Sequence, residues 1–314
     1  MNVLVCPLNW GLGHATRCIP LIQSELVNGN KVIIASDGMP EQLLKAHFPE
    51  LIYIQFPSYQ FRYSRGNSLI VAMSSSIPAI LSGIIREHYQ LKKISRDYNI
   101  DKIISDNRFG CFNKKVQSVY ITHQLNIMMP GKLKWAEKLI RKIHYLFINQ
   151  YDRCLIPDYP GAKNLSGALS HGFQLPRNAQ FIGPLSRFDA IIIPALPDIY
   201  ENIAIVSGPE PQRTLFQQQL SEICLESGRK SLLICGLPGK DIPRQTIANL
   251  TILPHLTTAE LAGLLVRANK IYCRSGYSTI MDLDALGCLE KAVLFPTPGQ
   301  TEQEYLGEYH RNKF

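Results

Sequence analysis

The sequence predicts an α/β protein built from two doubly wound parallel sheets. Strand-like and helix-like segments alternate from the first residue, which is the order that parallel sheets covered by helices require. The strand-like segments are nearly continuous apolar runs, as expected of strands buried on both faces. The alternation stops at residues 183–200, where Pro184, Pro194 and Pro197 occur, and then begins again. Two domains of the same class therefore follow one another along the chain.

The first half begins with an apolar strand at residues 3–6. A helix follows at residues 16–28, with apolar side chains at helical spacing up to Gly29. Further buried strands are predicted at residues 31–35, 51–56, 102–105 and 118–122.

The second half repeats this order. Strands are predicted at residues 202–206, 231–235, 250–253, 270–273 and 292–295, and helices at residues 212–226, 258–267 and 278–286. We place one domain at residues 1–185, a linker at residues 186–200 and the second domain at residues 201–314. A last helix begins near residue 302 shortly before the chain ends, so we expect the second domain to be incomplete.

The charge is unevenly distributed along a chain of 314 residues, of which 46% are hydrophobic and 18% charged. Residues 1–198 hold 22 basic and 13 acidic residues, a net +9, whereas residues 199–314 hold 11 and 12, a net −1. A basic half suits nucleic acid, an acidic membrane or a phosphorylated substrate. Its basic residues are not interleaved with stacking aromatic residues, so we expect no nucleic-acid partner.

The cysteines and the apolar segments indicate a cellular compartment. None of the eight cysteines forms a C-x-x-C pair, and most lie in apolar runs, which argues against a zinc site or a disulfide framework and suits a reducing cytoplasm. The N-terminus lacks the features of a signal peptide. Serine, proline and glycine interrupt the longest apolar stretch, residues 69–85, so no membrane span is expected. We expect a cytoplasmic protein, with peripheral contact with the inner membrane face left open.

A glycine-rich turn, residues 9–17, joins the first strand to the first helix. Such turns let backbone amides approach an anionic ligand at a helix start. A dinucleotide-binding turn is one interpretation, supported by Asp37 after the second strand, but Thr16 stands in place of the third glycine. His14 and Arg17 add functional groups, and a helix start favours a neutral histidine, which suits a general base. A histidine that only caps the turn is the structural alternative.

Three turns in the second half also join a strand to a helix through polar or glycine residues. They occupy residues 207–213, 273–282 and 296–305. Each alone would commonly be a solvated loop, but together they lie where open parallel sheets bind ligands, at the carboxyl ends of the strands. Ser207, Gly208 and Arg213 could bind phosphate, and Asp282 could accept hydrogen bonds from ribose hydroxyls.

Residues 271–305 resemble the donor-binding region of glycosyltransferase family 28, whose best-known member forms lipid II. The match is Cys-Arg-Ser-Gly-x-x-Thr from Cys273 to Thr279, and Asp282 stands where the family places a ribose-binding Glu. Gln303 and Glu304 stand where the family has Gln-Gln, and the change at residue 304 leaves the identity of the sugar open. The turn at residues 11–14 resembles the family's Gly-Gly-His. The chain as a whole looks closer to a less characterised bacterial and archaeal branch.

The resemblance implies a GT-B fold, in which two Rossmann-like domains face a central cleft and the donor binds the C-terminal one. The usual closing helix at the C-terminus is missing from the pattern. The predicted donor-binding residues are Ser207, Gly208, Arg213, His255, Leu256, Arg274, Ser275, Gly276, Thr279, Asp282, Gln303 and Glu304.

Polar residues also follow two strands of the first half, at Asp106-Asn107-Arg108 and at His123. The predicted catalytic residues are His14 and Asp106, and the predicted acceptor-binding residues are Gly11, Gly13, Arg17, Asn107, Arg108 and His123. Residues that only cap loops are the alternative of equal weight. No pair of carboxylates is spaced as in a glycosidase.

The segment at residues 132–150 is basic and amphipathic. Lysine and arginine alternate there with Trp135, Leu139, Ile143 and Phe147, a pattern typical of helices that lie on an anionic bilayer. The alternative is an ordinary helix with its apolar stripe buried against the sheet and its lysines solvated.

The sequence thus predicts an inverting glycosyltransferase that moves a hexosyl group from a nucleotide-diphosphate sugar, for which we favour a UDP-sugar, to a hydroxyl acceptor. The basic half favours a lipid-linked acceptor or an envelope glycan. No metal or other cofactor is expected, because Asp282 and Asp284 diverge on a helix. A sugar-nucleotide 2-epimerase of the same fold and a catalytically silent nucleotide-sugar-binding protein remain alternatives.

Overall fold

A computed structural model describes residues 1–58, 69–189, 191–194, 198–237 and 243–313, and among these it leaves out the side chains of residues 69–77 and 132. Parts of the predicted linker and of the apolar stretch at residues 69–85 therefore lie outside what is described. The chain divides into two compact units. Unit 1 comprises Met1–Trp10 and Leu21–Gly183, and unit 2 comprises Gly11–Pro20 and Pro184–Phe314. The structure thus divides the chain near residue 183 and groups the glycine-rich turn with unit 2.

Unit 1 contains a seven-stranded parallel sheet in the order β3-β2-β1-β4-β5-β6-β7. The strands are β1 (Asn2–Pro7), β2 (Lys31–Ser36), β3 (Ile52–Gln55), β4 (Lys102–Asp106), β5 (Gln117–Ile121), β6 (Arg153–Ile156) and β7 (Ala179–Phe181). The helices are α1 (Leu12–Val27), whose residues up to Pro20 belong to unit 2, α2 (Gly38–His47), α3 (Leu69–Asp97) and α4 (Glu137–Ile148). The structure adds α2, α3, β6 and β7 to the elements predicted from sequence.

Unit 2 contains a six-stranded sheet in the order β10-β11-β9-β8-β12-β13, parallel except for the β10–β11 pair. The strands are β8 (Asn202–Ile205), β9 (Ser231–Ile234), β10 (Gln245–Ile247), β11 (Leu250–Leu253), β12 (Lys270–Arg274) and β13 (Ala292–Phe295). The helices are α5 (Gln212–Glu226), α6 (Thr258–Leu265), α7 (Tyr277–Ala285) and α8 (Thr301–Arg311). The predicted doubly wound α/β class is confirmed for both halves.

Each sheet has a core of its own, made by the inward-facing side chains of its strands. In unit 1, Leu4, Ile33 and Ile103 of three adjacent strands pack together and are almost completely buried. In unit 2, Leu233 and Phe216 belong to the corresponding cluster between the sheet and α5. Burial of such side chains is the main favourable term that stabilises each unit.

Helix α4 buries one side and exposes the other. His144 and Ile148 are buried, whereas Trp135 in the preceding turn is 74% exposed and Leu139 and Ile143 are also exposed. The alternative in which the apolar stripe of this segment is buried is therefore wrong for these three residues. Within the described residues, no helix combines the length and the apolar character needed to cross a bilayer.

Candidate functional site

The predicted ligand-binding turns of unit 2 follow strands that are neighbours in its sheet. Strand β12 pairs in parallel with β8 on one side and with β13 on the other. The turns at Ser207-Gly208, at residues 274–276 and at residues 296–300 therefore meet at the same edge of the sheet, where open α/β sheets bind ligands. His255 and Leu256, both half-buried, follow β11 at this edge as well.

The start of α7 is open. Gly276 is the N-cap residue and forms no side-chain capping hydrogen bond, and a Cβ atom added to it would meet nothing within 4 Å. Ser275 is held in place because its Oγ donates to the carbonyl of Gln303 at 2.7 Å. The backbone amides and the partial positive charge of a helix start favour an anion. This turn has the geometry expected of a phosphate-binding turn.

The Arg274 guanidinium connects its own turn to two others by binding their backbone carbonyls. Its Nη1 donates to the carbonyl of Pro296 at 3.0 Å, and its Nη2 donates to the carbonyl of Gln212 at 3.3 Å. The guanidinium lies over the Phe216 ring, 3.7 Å from the centroid, and burial lowers its pKa. The buried Nε has no hydrogen-bond partner. The donor-binding role of Arg274 stays a prediction, and in this structure its guanidinium positions the turns that it contacts.

The start of α5 already holds a carboxylate of the chain. Glu210 accepts hydrogen bonds from the backbone amide of Thr214 at 3.2 Å and from the Arg213 guanidinium at 2.7 Å. Arg213 also donates to the carbonyl of Cys235 at 3.2 Å. The phosphate-binding role of Arg213 stays a prediction, and in this structure its guanidinium is bound to Glu210 and to the carbonyl of Cys235.

The turn between β13 and α8 is closed by its own side chains. Gln303 Oε1 accepts from both the amide and the hydroxyl of Thr297 at 2.9 Å, and its Nε2 donates to Gln300. Glu304 accepts from the amide of Gly299 at 3.1 Å. The two residues predicted to bind sugar hydroxyls thus shape the loop in this structure.

Asp282, in the second turn of α7, is held by the segment that follows Gly183. It is 7% exposed, and its two oxygens accept from the Ser186 hydroxyl at 2.7 Å and from Arg187 Nε at 3.2 Å. Burial raises the pKa of this carboxyl, although Arg187 and Ser186 act in the opposite direction. The ribose contact of Asp282 stays a prediction, and in this structure Asp282 attaches the segment after Gly183 to α7.

The start of α1 contacts the start of α7 within unit 2. Ser278 Oγ donates to the carbonyl of Gly13 at 3.1 Å, and a Cβ atom at Gly13 would lie 2.6 Å from that Oγ. Thr279, one residue further along α7, is half-buried. His14, half-buried on α1, has its Nδ1 2.8 Å from Arg17 Nη2. Through this contact, the predicted residues Gly13 and His14 lie at a helix start that touches the helix start of Gly276. Gly11 precedes them in a left-handed conformation with a φ of 112°.

The predicted acceptor residues of unit 1 follow the adjacent strands β4 and β5. Asp106 and Arg108 are fully buried, and His123 is nearly so. Asn107 is half-buried, has a φ of 59° and accepts from the Tyr120 hydroxyl at 3.0 Å. The structure gathers these residues at one sheet edge, but burial withdraws most of them from solvent.

The Arg108 side chain is buried and bound by other residues of unit 1. Its guanidinium donates to Glu87 at 2.8 Å and to the carbonyls of Phe56 and Pro57, both at 3.0 Å. The pKa of Glu87 is raised by burial, against the opposing effect of Arg108. The acceptor contact of Arg108 stays a prediction, and in this structure Arg108 forms a buried ion pair with Glu87.

One polar cluster, around Asp158, was not predicted from the sequence. Asp158 follows β6, is fully buried and accepts from the amides of Leu165 and Ser166 and from His171 Nε2 at 3.1 Å. A carboxylate directly after an apolar run was the available signal, but β6 itself was not predicted. Among the residues described here, no group of three or more His, Cys, Asp or Glu side chains is arranged to hold a metal ion.

Comparison with known proteins gives relatives in one enzyme class. No protein-family model matches the chain. A protein of Methanosarcina acetivorans named an uncharacterized glycosyltransferase is 24% identical, over 97% of this chain and 82% of its own length. A protein of the same name from Methanosarcina mazei is 23% identical over the same shares of the two chains.

Solved glycosyltransferases have the same fold. The spinosyn rhamnosyltransferase SpnG matches with a TM-score of 0.60 and 15% identity, over 100% of this chain and 84% of its own. SpnG was also solved with thymidine diphosphate, with a TM-score of 0.55. MurG of Acinetobacter baumannii matches with a TM-score of 0.51 and 13% identity, over 99% of this chain and 82% of its own. The chain thus has the GT-B fold of these glycosyltransferases, and nearly its whole length is related to proteins named glycosyltransferases.

Proposed function

We propose that this chain is an inverting glycosyltransferase that transfers a hexosyl group from a UDP-sugar to a hydroxyl group of a lipid-linked acceptor or an envelope glycan. The observation that carries the proposal is the open start of α7 at Gly276, on the ligand-binding edge of the unit 2 sheet. The relatives named glycosyltransferases and the GT-B fold support the class of reaction.

The donor diphosphate binds at the start of α7 in this proposal. A helix start presents backbone amides and partial positive charge, and Gly276 leaves the space beside them open. Ser275 and Arg274 keep the turn in this conformation through their contacts with Gln303 and Pro296. The structure of SpnG with thymidine diphosphate supports a nucleoside diphosphate as the ligand class.

In the proposed transfer step, one bond forms at the anomeric carbon of the sugar while another breaks, and negative charge develops on the diphosphate. The acceptor oxygen attacks the anomeric carbon on the face opposite the diphosphate, the bond from that carbon to the diphosphate oxygen breaks, and the acceptor hydroxyl loses its proton to a base. Negative charge grows on the departing diphosphate, where the α7 amides stabilise it. Because a helix start supplies this stabilisation, the proposed reaction needs no metal ion.

His14 follows Gly13, whose carbonyl accepts from Ser278 of the α7 start, and the chemistry of His14 depends on Arg17. An arginine only donates hydrogen bonds, so His14 Nδ1 accepts from Arg17 Nη2. The neutral ring then carries its proton on Nε2 and donates. The general-base role predicted from sequence requires Arg17 to leave Nδ1 first.

The test is calorimetric binding of UDP to Gly276→Ala. The added methyl group fits the free protein, so the cost in stability is at most about 1 kcal/mol. It nevertheless fills the space through which a phosphate oxygen approaches the amides, so UDP affinity falls by about tenfold or more. Gly131→Ala is the matched control, since a Cβ there also meets nothing within 4 Å and no predicted site includes it.

UDP binding that is equal in wild type and Gly276→Ala would remove the α7 start from the donor site. Release of UDP from a UDP-sugar, measured with and without hydroxyl acceptors, then tests transfer itself. UDP binding without any turnover on a wide acceptor panel would favour a silent nucleotide-sugar-binding protein.

A further inference from the structure

A buried carboxylate and a half-buried histidine form a pair at the carboxyl edge of the unit 1 sheet. Asp158 follows β6, and His171 Nε2 lies 3.1 Å from its Oδ2. We call these two residues the dyad. The His171 ring stacks on Phe181, the last residue of β7, with 4.5 Å between the ring centroids and 13° between their planes. Because β6 and β7 pair in parallel, their carboxyl ends share the edge at which open α/β sheets bind ligands.

The loop that carries His171 is attached to the turn after β5. Ser170 donates from its hydroxyl to the carbonyl of His123. The amide of Asn126 donates to the carbonyl of Leu169 at 2.8 Å. Since His123 is one of the predicted acceptor-binding residues, the dyad lies beside a turn on which the acceptor site was predicted.

The loop satisfies the Asp158 carboxylate without His171. The two carboxylate oxygens also accept from the amides of Tyr159, Leu165 and Ser166 and from the Ser166 hydroxyl. A carboxylate offers about four lone-pair sites, so these four donors are enough to fill them. His171 is a fifth donor. Its bond to Asp158 therefore orients the imidazole ring and is not needed to satisfy a buried charge.

The bond to Asp158 determines which ring nitrogen of a neutral His171 carries hydrogen. An ionised carboxylate only accepts hydrogen bonds, so Nε2 donates and the lone pair lies on Nδ1. Within the described residues, His171 Nδ1 has no hydrogen-bond partner and is not fully buried, and the side chain is 17% exposed. His171 thus presents a lone pair of fixed direction to solvent, as a general base requires.

The lone pair of His14 is already engaged in this structure. Its Nδ1 accepts from Arg17 Nη2 at 2.8 Å, so a neutral ring carries its hydrogen on Nε2. Transfer to a hydroxyl group nevertheless requires a group that takes up the hydroxyl proton. The two histidines therefore differ in chemistry, since His14 donates a hydrogen bond and His171 can accept a proton.

We propose that His171 is the general base of the transfer reaction and that Asp158 is its positioning residue. The acceptor O–H bond breaks as the oxygen bonds to the anomeric carbon, and the proton moves to His171 Nδ1. The electron pair of the bond between sugar and diphosphate leaves with the diphosphate. The imidazolium keeps its bond to the Asp158 carboxylate, which stabilises its charge, and later loses the proton to water. This role rests on the proposed glycosyl transfer.

The experiment measures UDP release from UDP-glucose and UDP-N-acetylglucosamine, with methyl and octyl glycosides as hydroxyl acceptors. We expect His171→Ala and His171→Gln to lower turnover at saturating substrates by about 10²- to 10⁴-fold, because neither side chain takes up a proton. Affinity for UDP, measured by calorimetry, should stay within about threefold, because a base acts on turnover and not on donor binding.

His88→Ala is the matched control. His88 is also half-buried, has a ring nitrogen 3.2 Å from a backbone carbonyl and packs on a phenylalanine ring at 4.5 Å. This variant should turn over as the wild type does. Circular dichroism and thermal unfolding show that each variant is folded before its turnover is compared.

Chemical rescue separates a base from a side chain that only fills space. Imidazole added to His171→Ala should raise turnover by about tenfold or more. Pyrazole has nearly the same ring shape but is a far weaker base, so it should leave the turnover of His171→Ala unchanged. Neither compound should raise the turnover of the wild type or of His88→Ala.

A double-mutant cycle tests the positioning role of Asp158. Asp158→Asn allows the ring to take the other tautomer, so turnover should fall by about tenfold or more. In the His171→Ala background the same substitution should change turnover by less than about threefold, because the two residues act as a unit. Equal losses in both backgrounds would limit Asp158 to holding the loop. The His171 variants decide the base assignment even where Asp158→Asn fails to fold.

Three results would overturn the base assignment: turnover of His171→Ala equal to that of the wild type, equal rescue by imidazole and pyrazole, or a wild type that binds UDP and releases none with any of these acceptors. Equal turnover of the wild type and His171→Ala would leave the proposed function in place and remove only the dyad from it. A wild type that neither binds nor releases UDP would remove both.

Discussion

Arg17 Nη2 donates a hydrogen bond to His14 Nδ1 over 2.8 Å, across one turn at the start of α1. Arg17 is 1% exposed and stays protonated, so the bond fixes which ring nitrogen of a neutral His14 carries hydrogen. That nitrogen is Nε2, which makes His14 a hydrogen-bond donor to its surroundings. A donor beside a helix start is suited to a diphosphate, whereas a general base needs a lone pair at the reacting position.

The donor role of His14 predicts different results for two substitutions. Glutamine places an N–H close to the position of the histidine Nε2–H, so His14→Gln should keep turnover within about tenfold of the wild type. Alanine removes the donor, so His14→Ala should lower turnover by about 10²- to 10³-fold. UDP release measured at saturating donor gives both values.

The general-base role makes the opposite prediction for glutamine, which takes up no proton. Equal losses of about 10²- to 10⁴-fold in His14→Gln and His14→Ala would therefore restore the base assignment. UDP affinity, measured by calorimetry, is the control that separates a loss of binding from a loss of turnover.

Gly13 should not tolerate a side chain while Ser278 is present. The Cβ of Gly13→Ala would lie 2.6 Å from Ser278 Oγ and 3.0 Å from its Cβ, so the hydroxyl must rotate away from the Gly13 carbonyl and the two side chains must separate slightly, at a cost of about 1–3 kcal/mol. We expect a lower melting temperature and a higher KM for the donor. The double variant Gly13→Ala/Ser278→Gly should recover both, and failure to recover them would show that the close approach is not the cause.

Asp282 should affect stability more than nucleotide binding. Asp282→Asn removes the charge of a buried ion pair, and its amide presents an N–H or a weaker acceptor to Arg187 and Ser186. The substitution should therefore lower the free energy of unfolding by about 3 kcal/mol. UDP affinity of the folded variant should stay within about threefold. Glu290→Gln, at an exposed position of the same unit, is the control. Unchanged melting with lost UDP binding would return Asp282 to the ribose.

The central strands could be predicted because burial on both faces makes them continuous apolar runs. Strands β9, β11 and β13 begin at the residues that the sequence predicted. The missed strands β7 and β10 are shorter, with three residues each, of which one is polar in β7 and two in β10. Too few apolar side chains are present there to produce a period, and position in the sheet decides their structure. Helix α3 was missed because it continues through Pro78, which local propensity treats as a break.

The location of the candidate site was predictable, but the partners of its residues were not. Glycine and polar residues after apolar strands marked the turns, and parallel pairing brings such turns to one edge. Asp282, however, binds Ser186, which is 96 residues away in sequence, and Ser278 binds Gly13 across 265 residues. The local sequence pattern carries no information on such contacts. The sequence therefore could not show whether the Asp282 carboxylate binds a ribose hydroxyl of a ligand or the hydroxyl of another residue.

His144 should make the stability of unit 1 depend on pH. It is 4% exposed, its Nδ1 is 3.3 Å from the carbonyl of Leu125 and its Nε2 has no partner, so burial lowers its pKa to about 4. As pH falls below about 6.5, the unfolded chain takes up a proton that the folded protein does not accept until about pH 4. Folding therefore loses stability through this window, by about 3 kcal/mol in total for this group.

Replacing the imidazole tests this effect. In His144→Leu, the free energy of unfolding measured by urea titration between pH 4 and 7 should fall less steeply on acidification than in the wild type, whatever its absolute value. Parallel curves for the wild type and His144→Leu would mean that the His144 ring is protonated in the folded protein. The His144 Nε2–H, which has no partner in this structure, would then need a hydrogen-bond acceptor. Phe109 and Tyr120 pack edge-on against the His144 ring at that place.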